Sequence, residues 1–260
     1  MQAQDPAILF GVLRPTTDEV VARLEQLERR LAADADLAAR FRGVAVCPPV
    51  DPAASQDDII AHFARVLKVS RNPIAVYQLP QVTGCAIAPE TLVQLVAEHP
   101  RIVMFKDSSG EDVVAKSGRS FDGTVLVRGA EGGYLDALSP SGPYHGWLLS
   151  TGNALGEPLR RLLALRDGGA AEEARALSVE ISGIVDAVFS LAKDEGGANA
   201  FSNANRAMDH LRAYGLGWTE APLPLKVNGE PLSRALVGAV EEKAAELLGL
   251  APGGYLSNAV

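Results

Sequence analysis

Cysteine is scarce in this chain, which carries Cys47 and Cys85 and no others among its 260 residues. Neither belongs to a paired Cys/His spacing, which excludes a disulfide scaffold and a structural zinc site. Both stand in apolar surroundings and read as buried thiols that pack like small hydrophobic groups. Positive charge is the minority sign as well: 24 Lys and Arg against 32 Asp and Glu give a formal net charge of -8. No basic stripe or aromatic-basic alternation offers a footprint for nucleic acid. The opening residues MQAQDPAILF lack the charged start and apolar core of a secretion signal, and no apolar run reaches the length of a membrane span. A cytoplasmic protein that engages neither membrane nor nucleic acid is expected.

Nucleotide signatures are missing too. No Gly-x-Gly-x-x-Gly follows the first strand pattern, and no turn carries a Gly-Lys-Ser/Thr phosphate cradle. Neither a metal nor any other cofactor is implied. The four histidines, His62, His99, His145 and His210, are scattered, and none neighbours a Ser or Cys in a nucleophile setting. They read as surface or helix-capping residues.

What the chain does contain is alternation. With 47% hydrophobic residues it has material for one large core, or at most two domains. Ala7–Leu13 reads as a strand, and Thr16-Thr-Asp-Glu opens a helix with a capping signal that runs to about Ala33. Further strands are expected at Gly43–Cys47, Pro73–Tyr77, Ile102–Lys106, Thr124–Val127 and His145–Leu149. Helices intervene from Ser55 to about Val69, from Pro89 to Glu98, from Glu111 to Ser117 and from Gly133 to Ser139. Beyond Asn153 the pattern is almost entirely helical. Short apolar strands alternating with helices imply parallel pairing with crossover helices, hence an α/β fold. Without a nucleotide fingerprint, most of a (β/α)8 barrel is favoured over a doubly wound sheet. The expected division is 1–155 for the βα units with the site, and 156–260 for a helical segment packed on the barrel.

In a barrel, polar residues at the carboxyl ends of strands are the candidates for chemistry, here Tyr77, Lys106, Gly129 with Glu131, and Ser150 with Thr151. Lys106 is the most pointed of them. Arg101-Ile-Val-Met-Phe-Lys-Asp-Ser-Ser-Gly110 reads as a strand covered on both faces that ends in a lysine and a turn. An amine held there and partly desolvated is a nucleophile toward a carbonyl, or else the ammonium reaches water along its stem and pairs with a carboxylate such as Asp107. Both readings are open on these ten residues alone.

Tyr77-Gln-Leu-Pro-Gln-Val-Thr-Gly84, then Ala88-Pro-Glu-Thr91, then Ile102-Val-Met-Phe-Lys-Asp-Ser-Ser-Gly110, resembles the dihydrodipicolinate synthase/N-acetylneuraminate lyase superfamily. The likeness continues through Val125-Leu-Val-Arg-Gly129, Gly146-Trp-Leu-Leu-Ser-Thr-Gly-Asn153, Phe201-Ser-Asn-Ala-Asn-Arg206 and Ala221-Pro-Leu-Pro-Leu225. The resemblance implies a (β/α)8 barrel in which Lys106 forms a Schiff base with pyruvate or another 2-oxo acid and Tyr77 shuttles protons. It also implies Thr83, Ser108 and Ser150 as hydroxyls near the substrate, Gly129 as a close backbone approach, and a homo-oligomer, dimer or tetramer. Glu131 either faces polar substrate hydroxyls or is a solvated loop acid.

Three departures shape the functional expectation. The family's first two strand-helix units have no counterpart, and with them goes any Gly-Thr-Thr-Gly-Glu-like segment, which in the family binds the 2-oxo acid carboxylate and supplies a relay hydroxyl. Either the natural chain is longer, or the barrel closes with fewer strands, or a partner covers the gap. In Cys47-Pro-Pro-Val-Asp51, Val50 and its neighbours stand where the synthases carry a relay tyrosine, and Val82 stands where they place an arginine for aspartate semialdehyde. The expectation is therefore a Schiff-base aldolase, lyase or dehydratase acting on another 2-oxo acid, rather than a dihydrodipicolinate synthase. The alternative is a catalytically degenerate barrel with a binding, regulatory or structural role.

Overall fold

In a computed structural model, the described residues are 7–197 and 199–257. They fold as two compact units: one contains the residues up to Ala130 together with Ala137–Leu148, the other Glu131–Asp136 and the residues from Leu149 onward.

The first unit holds all the strands. In chain order its elements are β1 (Ile8–Val12), α1 (Thr17–Ala33), α2 (Ala35–Arg40), β2 (Phe41–Val46), α3 (Gln56–Val69), β3 (Ile74–Gln78), α4 (Pro80–Thr83), α5 (Pro89–Glu98), β4 (Ile102–Asp107) and β5 (Val125–Arg128). Its last strand is β6 (Gly146–Trp147), whereas the short α6 (Tyr134–Ala137) before it belongs, all but Ala137, to the second unit. Each helix start is written locally. The Thr16 hydroxyl accepts from the Glu19 amide while the Glu19 carboxylate accepts from the Thr16 amide, and Ser55 and Asp58 repeat the arrangement at α3. Each cap contributes about 1 kcal/mol. Pro89 occupies the first turn of α5, where its missing N–H is no loss.

The six strands are parallel and lie in the order β1-β2-β3-β4-β5-β6. A doubly wound sheet reverses direction at a switch point, and this one never does; it has the strand order of a β/α barrel. Among the described residues β1 and β6 do not pair with each other, so the sheet is open at both. Its core comes from strand residues such as Val44, Val46, Ile74, Val76 and Phe105 and from helix residues such as Ile59, Phe63, Leu92 and Leu95, all fully buried.

Four readings of the sequence are corrected here. The strand at Ile102–Phe105 is not covered on both faces: Ile102 and Phe105 are buried, but Val103 is 43% exposed and Met104 half-buried. The register carries the face of Met104 across to Gly11 and Val125, both exposed. The helix expected at Glu111–Ser117 shrinks to a single 3-10 turn, Ala115–Ser117, because Gly110 and Asp112 adopt φ of 82° and 58° and a right-handed helix cannot pass through them. The strand expected at His145–Leu149 pairs over Gly146 and Trp147 only. His62 and His210 are core residues, 2% and 4% exposed, because each faces inward on its helix.

The second unit is helical: α7 (Gly152–Asp167), α8 (Ala171–Leu191), α9 (Ala200–Tyr214) and α10 (Arg234–Leu248) pack on one another through Leu155, Leu162, Ile181, Val185, Ala207, Leu211, Val237 and Val240. Pro158 lies inside α7 and has no N–H for the Ala154 carbonyl, so the helix kinks at Leu155 and Arg212 donates to that carbonyl at 2.9 Å. Among the described residues no helix is long and apolar enough to cross a membrane.

Candidate active site

Strand register builds the site. In the β3–β4 ladder Tyr77 pairs with Lys106, and in β4–β5 Lys106 pairs with Val127. Paired residues of parallel strands point to the same face, so the phenol and the amine rise side by side at the carboxyl end of the sheet. Lys106 Nζ lies over the Tyr77 ring, 4.1 Å from its centre. The Ser108 hydroxyl, just past the end of β4, donates to Tyr77 Oη at 3.4 Å.

Gly129 makes room for both partners. A β-carbon at that position would stand 2.6 Å from Lys106 Cε and 2.1 Å from Ser108 Oγ, closer than atoms approach without displacement. Its amide donates to the Asp107 carbonyl at 2.6 Å, which fixes the glycine against the end of β4. Ser108 is held at both backbone groups: its amide donates to the Gln78 carbonyl at 3.0 Å, and its carbonyl accepts from Gln81 Nε2 at 2.8 Å.

On the opposite face of β4 lies a cluster that the sequence did not reveal. Asp107 is fully buried and accepts from the Ser109 amide at 2.8 Å. Tyr144 Oη, also fully buried, lies 2.8 Å from Asp112 Oδ1 and 3.3 Å from Asp107 Oδ2. Arg128 Nε reaches Asp112 at 3.2 Å and Lys116 Nζ reaches it at 3.1 Å. Burial alone would raise the Asp112 carboxyl, but the Tyr144 hydrogen bond and the charges of Arg128 and Lys116 outweigh it and hold its pKa below the usual carboxylate value. Burial and the neighbouring Asp107 and Asp112 push the Tyr144 phenol upward, so it remains a hydrogen-bond donor. The cluster braces the turn after Lys106 from behind.

Other expected site residues serve the chain itself. Thr83 is fully buried and donates to the Leu79 and Cys85 carbonyls, closing α4. In the second unit, the Glu131 carboxylate accepts from Tyr134 Oη, Ser150 Oγ, the Thr151 amide and Thr151 Oγ1 at 2.8 to 3.2 Å. Glu131 and Ser150 are thus brought together at the start of α7, while Tyr77, Lys106, Ser108 and Gly129 are brought together in the first unit. Val82 on α4 is 44% exposed. Burial pushes the Cys47 thiol up to about 12, with the Lys106 charge acting in the other direction, so Cys47 stays protonated. Among the described residues no group of three or more His, Cys, Asp or Glu is gathered to hold a metal ion.

The sequence profile of the dihydrodipicolinate synthetase family matches residues 31–196, well over half of the chain. The chain belongs to the dihydrodipicolinate synthetase family. Among curated members, it is 33% identical to the 4-hydroxy-tetrahydrodipicolinate synthase of Xanthomonas campestris pv. campestris over 57% of this chain and 48% of that protein. It is 26% identical to 4-hydroxy-tetrahydrodipicolinate synthase 1 of Streptomyces coelicolor over 94% of this chain and 78% of that protein. The chain spans about half the length of several curated relatives it matches, 45% and 48% in two of them. Among solved structures, a variant of the Sulfolobus solfataricus 2-keto-3-deoxygluconate aldolase in complex with pyruvate superposes with a TM-score of 0.69 at 18% identity, covering 94% of this chain and 74% of that one. YagE, a prophage protein of E. coli K12 in complex with pyruvate, superposes with a TM-score of 0.70 at 17% identity, covering 94% of this chain and 76% of that one. These likenesses establish the barrel-type fold of this family member, six of whose strands the sheet supplies.

Proposed function

We propose that the chain is a Schiff-base-forming aldolase, lyase or dehydratase acting on pyruvate or another 2-oxo acid, and not a dihydrodipicolinate synthase proper. The observation that carries this reading is the grouping of Lys106, Tyr77 and Ser108 around Gly129 at the carboxyl end of the sheet, where barrels of this type do chemistry. As a neutral amine, Lys106 attacks the 2-oxo carbon, and the carbonyl oxygen takes up a proton from Tyr77. The carbinolamine hydroxyl then leaves as water with a second proton, and the protonated imine draws electrons from the adjacent bond to be cleaved or formed. Two pyruvate-bound relatives of the same fold support the substrate class. Val82 supports the distinction from the synthases, because an exposed valine makes no bidentate pair with a carboxylate. A homo-oligomeric, cytoplasmic enzyme, with its chemistry confined to the strand-bearing unit, completes the proposal.

The test is borohydride trapping with pyruvate and a panel of longer 2-oxo acids, followed by peptide mass spectrometry, with Lys106→Ala as the control. An adduct on Lys106 supports the reading, and the best-trapped acid names the substrate class. A folded sample that gives no adduct with any acid indicates instead a degenerate barrel with a binding role. Efficient condensation of pyruvate with aspartate semialdehyde overturns the distinction from the synthases.

A further inference from the structure

The Tyr77 hydroxyl has one hydrogen-bond partner among the described residues, the hydroxyl of Ser108, at 3.4 Å. The distance is long for an O–H···O bond, as hydrogen bonds at reaction centres often are before substrate arrives. Ser108 itself has little freedom. It is 8% exposed, its backbone is pinned on both sides by Gln78 and Gln81, and its Oγ lies against Gly129, where only the missing side chain leaves space. The Lys106 amine stands over the face of the same ring, 4.1 Å from its centre. Among the described residues, a tyrosine so placed has one hydroxyl, that of Ser108, through which a proton it gives up can be replaced.

We propose that Ser108 is the relay and positioning partner of Tyr77, acting through the phenol and not on the substrate directly. The inference rests on the Schiff-base reading above and assigns within it where the protons go. As Lys106 nitrogen bonds to the 2-oxo carbon, the carbonyl π electrons move onto oxygen, which takes the Tyr77 proton. Tyr77 recovers a proton from Ser108, and Ser108 recovers one from the attacking nitrogen through solvent. The carbinolamine hydroxyl then takes up one further proton from solvent by the same path and leaves as water, so that amine, carbonyl and one proton give protonated imine and water.

The experiment is a double-mutant cycle on the rate of imine trapping with pyruvate. Each of wild type, Ser108→Ala, Tyr77→Phe and the double variant is measured across pyruvate concentrations, with Ser108→Thr as the conservative variant. Ser108→Ala is expected to slow the saturated trapping rate about tenfold with the half-saturating concentration unchanged, and Ser108→Thr to restore at least half of the wild-type rate. In the Tyr77→Phe background the loss of Ser108 is expected to change nothing. Equal slowing by Ser108→Ala in both backgrounds, or a rise in half-saturating concentration alone, overturns the inference in favour of direct substrate contact. Wild-type trapping matched by Ser108→Ala overturns it and leaves the Schiff-base reading standing. Absence of any adduct on the wild-type chain removes both.

Discussion

Lys106 Nζ lies 4.1 Å from the centre of the Tyr77 ring, over the face and not beside the hydroxyl. Ring and hydroxyl can therefore do separate things: the face holds the resting ammonium in place, a contact worth about 0.5–2 kcal/mol, while in the proposed reaction the hydroxyl carries the proton. Tyr77→Phe keeps the first and deletes the second. Imine trapping is expected to slow by about 10²- to 10⁴-fold, the usual scale of a general acid-base group. Tyr77→Leu is expected to be worse, because it also frees the lysine. Trapping rates for the two variants, with circular dichroism to show that both fold, check the order.

Gly129→Ala tests the clearance around Lys106. The added methyl would stand 2.6 Å from Lys106 Cε and 2.1 Å from Ser108 Oγ, so both side chains must leave their positions. The flexible stem of the lysine turns aside freely, while the nearly buried, backbone-held Ser108 yields its hydroxyl position at a modest cost to the fold. A loss of trapping of at least tenfold is expected, with a melting temperature within a few degrees of wild type. Unchanged trapping would mean that the lysine works from a different rotamer.

Much of this architecture was legible because its signals are local. The capping boxes at Thr16 and Ser55, Pro89 at the first turn of α5, and the alternation of short apolar strands with helices each depend on residues a few positions apart. The pairing of Tyr77 with Lys106 followed once both ended neighbouring parallel strands. What stayed hidden depends on partners distant in sequence. Asp112 interrupts an expected helix because Arg128 and Tyr144, 16 and 32 residues away, hold it in a left-handed conformation. The sequence leaves Glu131 open between a substrate-facing acid and a solvated loop acid, and the hydrogen bonds its carboxylate accepts from Ser150 and Thr151, 19 and 20 residues away, are not written locally. The family resemblance offers Ser108 as a hydroxyl near the substrate, and the fold sets that hydroxyl beside Tyr77 Oη.

Asp112 offers a separation of charge from backbone. Its φ of 58° is one that Asn tolerates as well as Asp, so Asp112→Asn removes the charge without adding strain. The substitution takes the carboxylate away from a buried guanidinium and is expected to cost about 3 kcal/mol. Asp112→Ala adds the left-handed penalty and is expected to cost about 1 kcal/mol more. Urea midpoints at neutral pH measure both; equal midpoints for the two variants would show that the left-handed turn relaxes.

The first unit also carries a pH-dependent anchor at His62, which is bonded to Cys47, the residue just after β2. Its Nε2 lies 3.0 Å from the Cys47 carbonyl, an acceptor only, so Nε2 bears the hydrogen and Nδ1 accepts from the Thr17 hydroxyl at 2.8 Å. That is the neutral ring, and burial lowers its pKa from 6.5 to about 4, against the opposing pull of the Cys47 carbonyl. In the unfolded chain the imidazole takes up a proton below about 6.5, whereas in the folded chain it resists until about 4. Between those values the unfolded state binds more protons, so stability rises with pH. The contribution is complete above pH 6.5, is lost progressively as pH falls toward 4, and amounts to about 3 kcal/mol. His62→Gln keeps a donor for Cys47 but cannot titrate. Urea unfolding of both proteins from pH 4 to pH 7 should show the wild type losing that much more stability than the variant on acidification; parallel curves would mean that His62 charges without unfolding the segment it holds.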